Sequence, residues 1–426
     1  MMKRTIAIIL MLCALSTAAD AQWYLFPGSK NKKDRNAQRQ AREELLRLKE
    51  KQAQEAQESI FPAVQADSTL APEQAQEQTE DQEVQPVPVD DFVPDIPETI
   101  EVSLLLPLKS TGRPSGNFYE FYTGALLAAS DLGREGTAIN LRVFDTADPT
   151  SHIGASDLMG SDVTIGPVSS ADIRKTLAKV DGDTFLISPL EPRAAALSDS
   201  CNVVQVPTPS EMQTVEMVRW LSEEASESDT VYVCVPETGV QTGLFALLEN
   251  GSLKYKRIAG SDVDSLQIGG GTARFVIASE DEIFVCNAVN SIGSLASADA
   301  RIILYGTSKY RSYDGIHSES LYRANARIVT YYYVDYTAEE VKDFVRRFRA
   351  VYGAEPSSFA FHGYDTMRYF VSVCGKYGRM WRKKLSEYPY SGLQADFNFT
   401  ADGKTGAVNG ATRRVRYYPD LTSFLQ

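Results

Sequence analysis

From about residue 99 to the end of the chain, short apolar runs alternate with amphipathic stretches with little interruption. The apolar runs are EVSLLLP (101–107), INLRVFD (139–145), DVTIG (162–166), TFLISP (184–189) and NVVQVP (202–207). They continue with TVYVCVP (230–236), LKYKRIAG (253–260), RFVIAS (274–279), RIILYG (301–306) and RIVTYYYVD (327–335). Each has the length and β-branched content of a strand buried on both faces. The stretches between them have helical spacing. FYEFYTGALLAASDLG places Phe118, Tyr122, Ala125, Leu126 and Ala129 on one face. SEMQTVEMVRWLSEEA does the same with Met212, Val215, Val218 and Leu221, with Ser210 in position to cap it. Strands that alternate with helices predict parallel sheets covered on both sides. Ten strands exceed what one sheet usually carries, so the expected fold class is α/β with two doubly wound, Rossmann-like lobes.

The first hundred residues have a different pattern. Lys3 and Arg4 precede an apolar run, Ile6 to Leu15, and small residues follow to Ala19-Asp20-Ala21. That order predicts a signal peptide over 1–21, cut before Gln22, and a periplasmic, soluble product. Leu12 is too bulky for the lipoprotein cleavage site that Cys13 would otherwise invite. Residues 22–58 carry strong helix formers but few apolar positions, Leu45, Leu46 and Leu48 among them, and predict a charged, solvated helical spacer. Residues 59–98, rich in Gln, Glu, Pro and Val, predict an extended, disordered linker. The folded body is expected over 99–426. No segment after the leader approaches eighteen consecutive apolar residues, so no membrane span is expected.

The net charge of −13 changes little once it is located. About a dozen acids and no Lys or Arg lie between Glu55 and Glu98, leaving the remainder near neutral and without a basic nucleic-acid surface. Beyond the leader stand Cys201, Cys234, Cys286 and Cys374. An even count in an exported chain permits disulfides with three connectivities. Their placement in strand and helix patterns favours buried free thiols, and no C-x-x-C points to zinc.

Ligands of open parallel sheets bind beyond the carboxyl ends of the strands, where helix N-termini offer free N–H groups. Small polar and turn residues recur at those points: PLKSTGRPSG after the first strand, GPVSSAD after the third and SPLEPRAAA after the fourth. PETGVQTG follows the sixth strand, GTSKYRS the ninth and DYTAEE the tenth. Ser169 and Ser170 can cap a helix and still face a cleft.

With these residues in view, the chain resembles the type I periplasmic binding proteins of the leucine-binding or receptor ligand-binding group. IGPVSSADI following LRVFDTAD, then LISPLEPR, the stretch TAEEVKDFVRRFRAVYGAEPSSFAFHGYDTMRYFV and the closing GLQADFNFTADGKTGAVNG carry the likeness, over about residues 99–420. It is similar in particular to exported Bacteroidota members that often bear LysM modules, although no LysM repeat is apparent here. The resemblance implies two lobes joined by three crossings, the first about 99–209 with 336–391 and the second about 210–335 with 392–426. It implies a ligand between them, with Ser169 and Ser170 meeting a carboxylate or polar head. In the loop after Ser188-Pro189 the family offers small hydroxyl residues, whereas this chain has Leu190, Glu191, Pro192 and Arg193, which argues against a simple branched-chain amino acid. From the second lobe, Glu237 and Thr238 are placed to receive an ammonium group. Tyr310 and Tyr333 would stack on a ring or sugar, or serve as ordinary surface aromatics.

The catalytic motifs do not hold. Lys404-Thr405 lacks the P-loop glycine, since Asn398 stands there, and Asp402-Gly403 is instead a hairpin turn signal. IGGGTARF (268–275) puts its glycines before a strand, and the three histidines, His152, His317 and His362, fall in no H-E-x-x-H. No catalytic residue, metal or cofactor is expected. The expected function is an exported, non-catalytic protein that binds a small polar solute, an amino acid or cell-wall-derived fragment, and delivers it to a transporter. The alternative is a cell-envelope interaction protein that uses the same fold to dock a partner or peptidoglycan fragment. The spacer and the departure at Leu190 to Arg193 favour that alternative, and lipoproteins that activate peptidoglycan synthases use a similar domain in this way.

Overall fold

The computed structural model describes residues 94–426, apart from 110–114, 149–152, 181, 183, 270, 297–300 and 401–404. The expected leader and spacer, most of the linker, His152 and the Asp402-Gly403 turn lie outside the described residues. The last linker residues join the body, because the N–H of Arg379 donates to the Asp95 carbonyl at 3.2 Å.

The chain opens with β1 (Ile100–Leu106), α1 (Gly116–Arg134), β2 (Ile139–Asp145), α2 (Ala155–Leu158) and β3 (Val163–Ile165). It continues with α3 (Ser170–Leu177), β4 (Leu186–Ser188), α4 (Ala195–Ser198) and β5 (Val203–Gln205). A second series follows: α5 (Ser210–Glu224), β6 (Thr230–Val235), α6 (Thr242–Asn250), β7 (Tyr255–Ala259), β8 (Thr272–Ile277), α7 (Glu282–Ser294), β9 (Arg301–Thr307), α8 (Ser318–Arg323) and β10 (Arg327–Thr330). Then come α9 (Glu339–Tyr352), α10 (Ser358–Tyr377), β11 (Tyr390–Ser391), β12 (Asp396–Phe397), β13 (Phe399–Thr400), β14 (Ala407–Asn409), β15 (Arg413–Tyr417) and β16 (Ser423–Leu425).

Two seven-stranded sheets result, in the orders β13-β14-β5-β4-β3-β1-β2 and β16-β15-β10-β9-β8-β6-β7. Interior parallel strands are mostly apolar because helices cover both faces, whereas the antiparallel interior strand β15 is Arg-rich. β1, between β3 and β2, is buried from Val102 to Leu106, whereas edge strand β2 is half-exposed. Helices α9 and α10 return to the first lobe, where Phe344, Phe348, Phe361 and Phe370 complete the core under β1. At the crossing of α1 and α10 the backbones touch: a Cβ on Gly124 would overlap the Ala360 carbonyl, and one on Gly363 the Phe121 carbonyl. Asp131 of α1 ties both returning helices to it, accepting from Arg347 of α9 at 2.6 Å and from the Tyr364 hydroxyl of α10 at 2.7 Å.

Several expectations need correction. β13 and β14 pair with each other and, through β14, with β5, so residues 399–409 belong to the first lobe rather than the second. The third crossing therefore lies after Asn409 and not at 391–392. β10 ends at Thr330, and Tyr331 to Asp335 leave the sheet as the second crossing. α1 buries Phe118 and Ala125 and packs Tyr122 and Ala129 against the core, as expected, but its buried stripe is wider and takes in Phe121, Ala128 and Leu132, because α10 lies against Gly124. In α5, Val218 and Leu221 are buried as expected, joined by Met217 and Trp220, whereas Val215 is exposed. Ser210 is the first residue of that helix and not its cap, which is Pro209. Cys201, Cys234, Cys286 and Cys374 are free thiols, and burial pushes those of Cys234 and Cys374 up to about 12.

Candidate functional site

The three crossings decide which surfaces confront each other. The chain leaves β5 at its carboxyl end and enters α5 at its N-terminus, and it leaves β10 and enters α9 in the same way. In a doubly wound sheet both kinds of end lie on the carboxyl edge. β14 runs parallel to β5, and β15 starts opposite Thr330, so the third crossing joins the same two edges. The three crossings thus join the carboxyl edges of the two lobes, and the loops named from the sequence lie at those edges.

On the first wall, Ser169 is the N-cap of α3. Its hydroxyl accepts from the Asp172 N–H at 3.2 Å and donates to the Asp172 carboxylate at 2.7 Å. The proton and one lone pair of that hydroxyl are used within the helix. The N–H of Ser170 donates to Glu191 Oε2 at 3.2 Å, so the free N-terminus of α3 already faces a carboxylate from the same chain. Glu191 is only 7% exposed. Its Oε1 accepts from the backbone N–H of Arg193 at 3.1 Å and from Arg193 Nε at 3.2 Å. Leu190 beside it packs against the lobe-one core. The loop is pinned from below, where His362 Nε2–H donates to the Pro189 carbonyl at 2.6 Å. His362 is buried in α10 against Phe121, and burial lowers its pKa, so it sits as a neutral imidazole that positions the loop. At the neighbouring strand end Asp145 Oδ1 accepts from the N–H groups of Leu108 and Ala147 at 2.9 and 3.0 Å, shaping the turn after β1.

On the second wall, Glu237 and Thr238 are exposed on the loop after β6. Tyr310 departs from its expected role. It is buried in the lobe-two core with its ring over Gly306, where a Cβ would overlap it, and it reaches only the small cavity described below. Burial raises its phenol well above the usual range. Tyr333 is a hinge residue: its N–H donates to the Gln394 carbonyl at 2.8 Å, its hydroxyl lies 3.2 Å from Ser423, and the Arg311 guanidinium sits 5.2 Å from its ring centroid. A cavity of about 30 Å³, lined by Ser210, Thr214, Gln241, Ser279 and Lys309 among others, opens at the second carboxyl edge. The larger groove, about 410 Å³, lies between α7 and α8, apart from the loops that line the cleft.

The hinge contains residues that sequence reasoning missed. Arg413, 4% exposed, opens β15 and reaches into the first lobe. It donates to the carbonyls of Tyr333 and Gly392, each at 2.6 Å, to that of Leu393 at 3.3 Å, and to Asp396 at 2.7 Å. The same turn is held from α10 by Asp365, fully buried, which accepts from the N–H groups of Leu393, Gln394 and Ala395 at 2.8, 2.7 and 3.1 Å. The Thr208 hydroxyl donates to the Ala411 carbonyl at 2.5 Å, and Asn409 Nδ2 donates to the Val206 carbonyl at 3.0 Å, joining the first crossing to the third. The available signal was the Gly363-Tyr364-Asp365 sequence; nothing local marked Arg413.

No protein-family model and no curated protein matches the sequence. The structure is similar to that of a branched-chain amino acid ABC transporter protein from Rhodospirillum rubrum, at 14% identity and a TM-score of 0.55, over 77% of this chain and 100% of that one. It is also similar to an ABC-type branched-chain amino acid transporter from Rhodopseudomonas palustris CGA009, at 12% identity and a TM-score of 0.51, over 77% of this chain and 95% of that one. Two Rossmann-like lobes, three crossings and these likenesses together give the chain the type I periplasmic binding protein fold.

Proposed function

We propose that this chain is a non-catalytic ligand-binding protein of the solute-receptor kind, exported by its leader, which holds a small polar solute between the lobes. The observation that carries this reading is the meeting of two carboxyl edges across three crossings. That arrangement lets a ligand with different affinity for closed and open forms drive closure. The similar structures, named for branched-chain amino acid transport, support a transport role, with a membrane transporter as partner. The departure at Leu190 to Arg193 speaks against a branched-chain amino acid as the solute. Native mass spectrometry of the full chain, compared with its denatured mass, tests the reading. A reproducible extra mass that also compacts the protein in small-angle scattering is expected. Its absence, with no compaction by any member of a solute library, would sink the proposal. A second reading, an envelope protein that docks a partner or peptidoglycan fragment, draws support from the departure at Leu190 to Arg193, where Glu191 takes the Ser170 N–H at the head of α3. Capture of muropeptides without lobe closure would select it.

A further inference from the structure

We propose that the groove between α7 and α8 is a second binding site, which takes a short zwitterionic molecule of the dipeptide kind. Arg323 holds its carboxylate, and Glu319 and Asp264 hold its ammonium group. The site does not rest on the binding reading above, because it is built from the second half of α7 and from α8, away from the edges that the crossings join. Its volume is about 410 Å³, within the roughly 300–1,000 Å³ of small-molecule sites. Gly293 shapes it: a Cβ there would overlap the backbone of Ser320, so α8 lies directly against α7. No aromatic or aliphatic side chain lines the groove among the described residues, which leaves an apolar ligand without a surface to bury against. Asp264 and Glu319 oppose a phosphate, whereas Arg323 matches a single carboxylate. The two acids and His317 do not gather into a metal site, since no such cluster exists among the described residues. The charges are also free to act. Glu319 and Arg323 stand four residues apart on α8, the spacing and order that favour an ion pair. This chain joins such neighbours elsewhere: Glu216 with Arg219, Glu339 with Lys342 and Asp343 with Arg347. Glu319 and Arg323 are not joined, and neither they nor Asp264 have a side-chain partner among the described residues. Asn290, by contrast, is spent on the frame. Its Nδ2 donates to the Gly315 carbonyl at 2.9 Å and its Oδ1 accepts from the His317 N–H at 3.0 Å, fixing the start of α8 beside the groove. A fixed frame that carries unpaired charges of both signs is complementary to a ligand that carries both.

The test follows the ring resonances of the full chain labelled with ¹³C-histidine, at constant pH and ionic strength. His317 lines the groove and reports on it, its signal assigned by loss in His317→Gln, while His362, buried in α10, checks that each variant is folded. The probes are glycylglycine, N-acetylglycylglycine, which lacks the ammonium group, and glycylglycinamide, which lacks the carboxylate. Glycylglycine is expected to shift His317 saturably, with each blocked peptide at least about threefold weaker, as loss of one exposed charge pair requires. In Arg323→Gln, glycylglycine is expected to weaken by a similar factor and to lose its advantage over the amide. Glu319→Gln combined with Asp264→Asn is expected to remove its advantage over the acetylated peptide instead. All three side chains are exposed, so the variants should fold; should they not, the three peptides compared on the wild type still decide the matter. No saturable shift of His317, equal responses to the three peptides, or advantages unchanged in the folded variants overturns the proposal. Failure of the cleft reading shows as absent lobe compaction in scattering, whereas failure here shows at His317, so the two are distinguishable.

Discussion

Replacing Arg413 by methionine removes a buried cation that spans the hinge while nearly keeping its volume. The guanidinium serves three carbonyls, two at 2.6 Å and one at 3.3 Å, and the Asp396 carboxylate at 2.7 Å. Charge-assisted bonds of this kind contribute about 1.5–3 kcal/mol each, and buried acceptors left without a donor cost about 1–3 kcal/mol. Three considerations reduce the sum. The Leu393 contact is long, carbonyls tolerate partial satisfaction, and Asp396, with its side chain 29% exposed, can be rehydrated. The Arg413 Nε is itself buried without an acceptor, so removing it recovers some desolvation. The net expectation is a loss of about 3 kcal/mol, at the lower end of what breaking a buried ion pair costs. Urea denaturation of wild type, Arg413→Met and Arg413→Lys measures it. Lysine is expected to recover only part, because an ammonium group cannot reach acceptors on both sides of the fork. Small-angle scattering of the folded variants should show a broader spread of lobe separations. A methionine variant within about 1 kcal/mol of wild type, with unchanged scattering, would refute the assignment of Arg413 as the hinge clamp, since even one lost buried bond exceeds that.

Gly363→Ala is expected to cost about 3 kcal/mol or more in thermal or urea unfolding, because its Cβ would overlap a backbone carbonyl of α1 that has no room to move; Gly133→Ala, with open space around it, should be neutral or stabilising by about 0.5–1 kcal/mol. Ser169→Ala should cost about 1 kcal/mol through the lost cap and leave ligand affinity unchanged, and a selective loss of affinity would show that the hydroxyl faces ligand instead. Glu224 should mark acid unfolding. Burial disfavours its charge, but the Tyr305 hydroxyl and the guanidiniums of Arg327, Arg416 and Arg274 outweigh this and hold it below the ordinary value of 4.5. A depressed carboxylate contributes stability above that value and loses it as pH falls through its own lower pKa. Glu224→Gln should therefore weaken the protein at neutral pH and flatten the fall of stability below about pH 4.5, read from urea midpoints across that range.

Local pattern alone determined the class of this fold. Strands buried on both sides are written as continuous apolar runs, as in β1, and even the half-exposed edge strand β2 occupies the very span its run predicts, Ile139–Asp145. The turn residues at strand ends likewise marked the carboxyl edges, because capping and tight turns are short-range demands of the backbone. What the sequence could not carry were the non-local choices. β13 and β14 are two and three residues long, and only pairing with β5, some two hundred positions earlier, assigns them to the first lobe. The periodicity of α1 found part of its buried face, Phe118 and Ala125, and the extension to Phe121, Ala128 and Leu132 follows from where α10 lies. Glu191 reaches Ser170 across 21 positions and Arg413 reaches Tyr333 across 80, contacts that no local signal encodes. Tyr310 looked like a surface aromatic until the glycine at 306 gave its ring a place in the core. Hydrophobic periodicity thus settled how each element forms, while the partners of its charged and polar groups were settled by packing between lobes and layers, where burial makes each unpaired group costly.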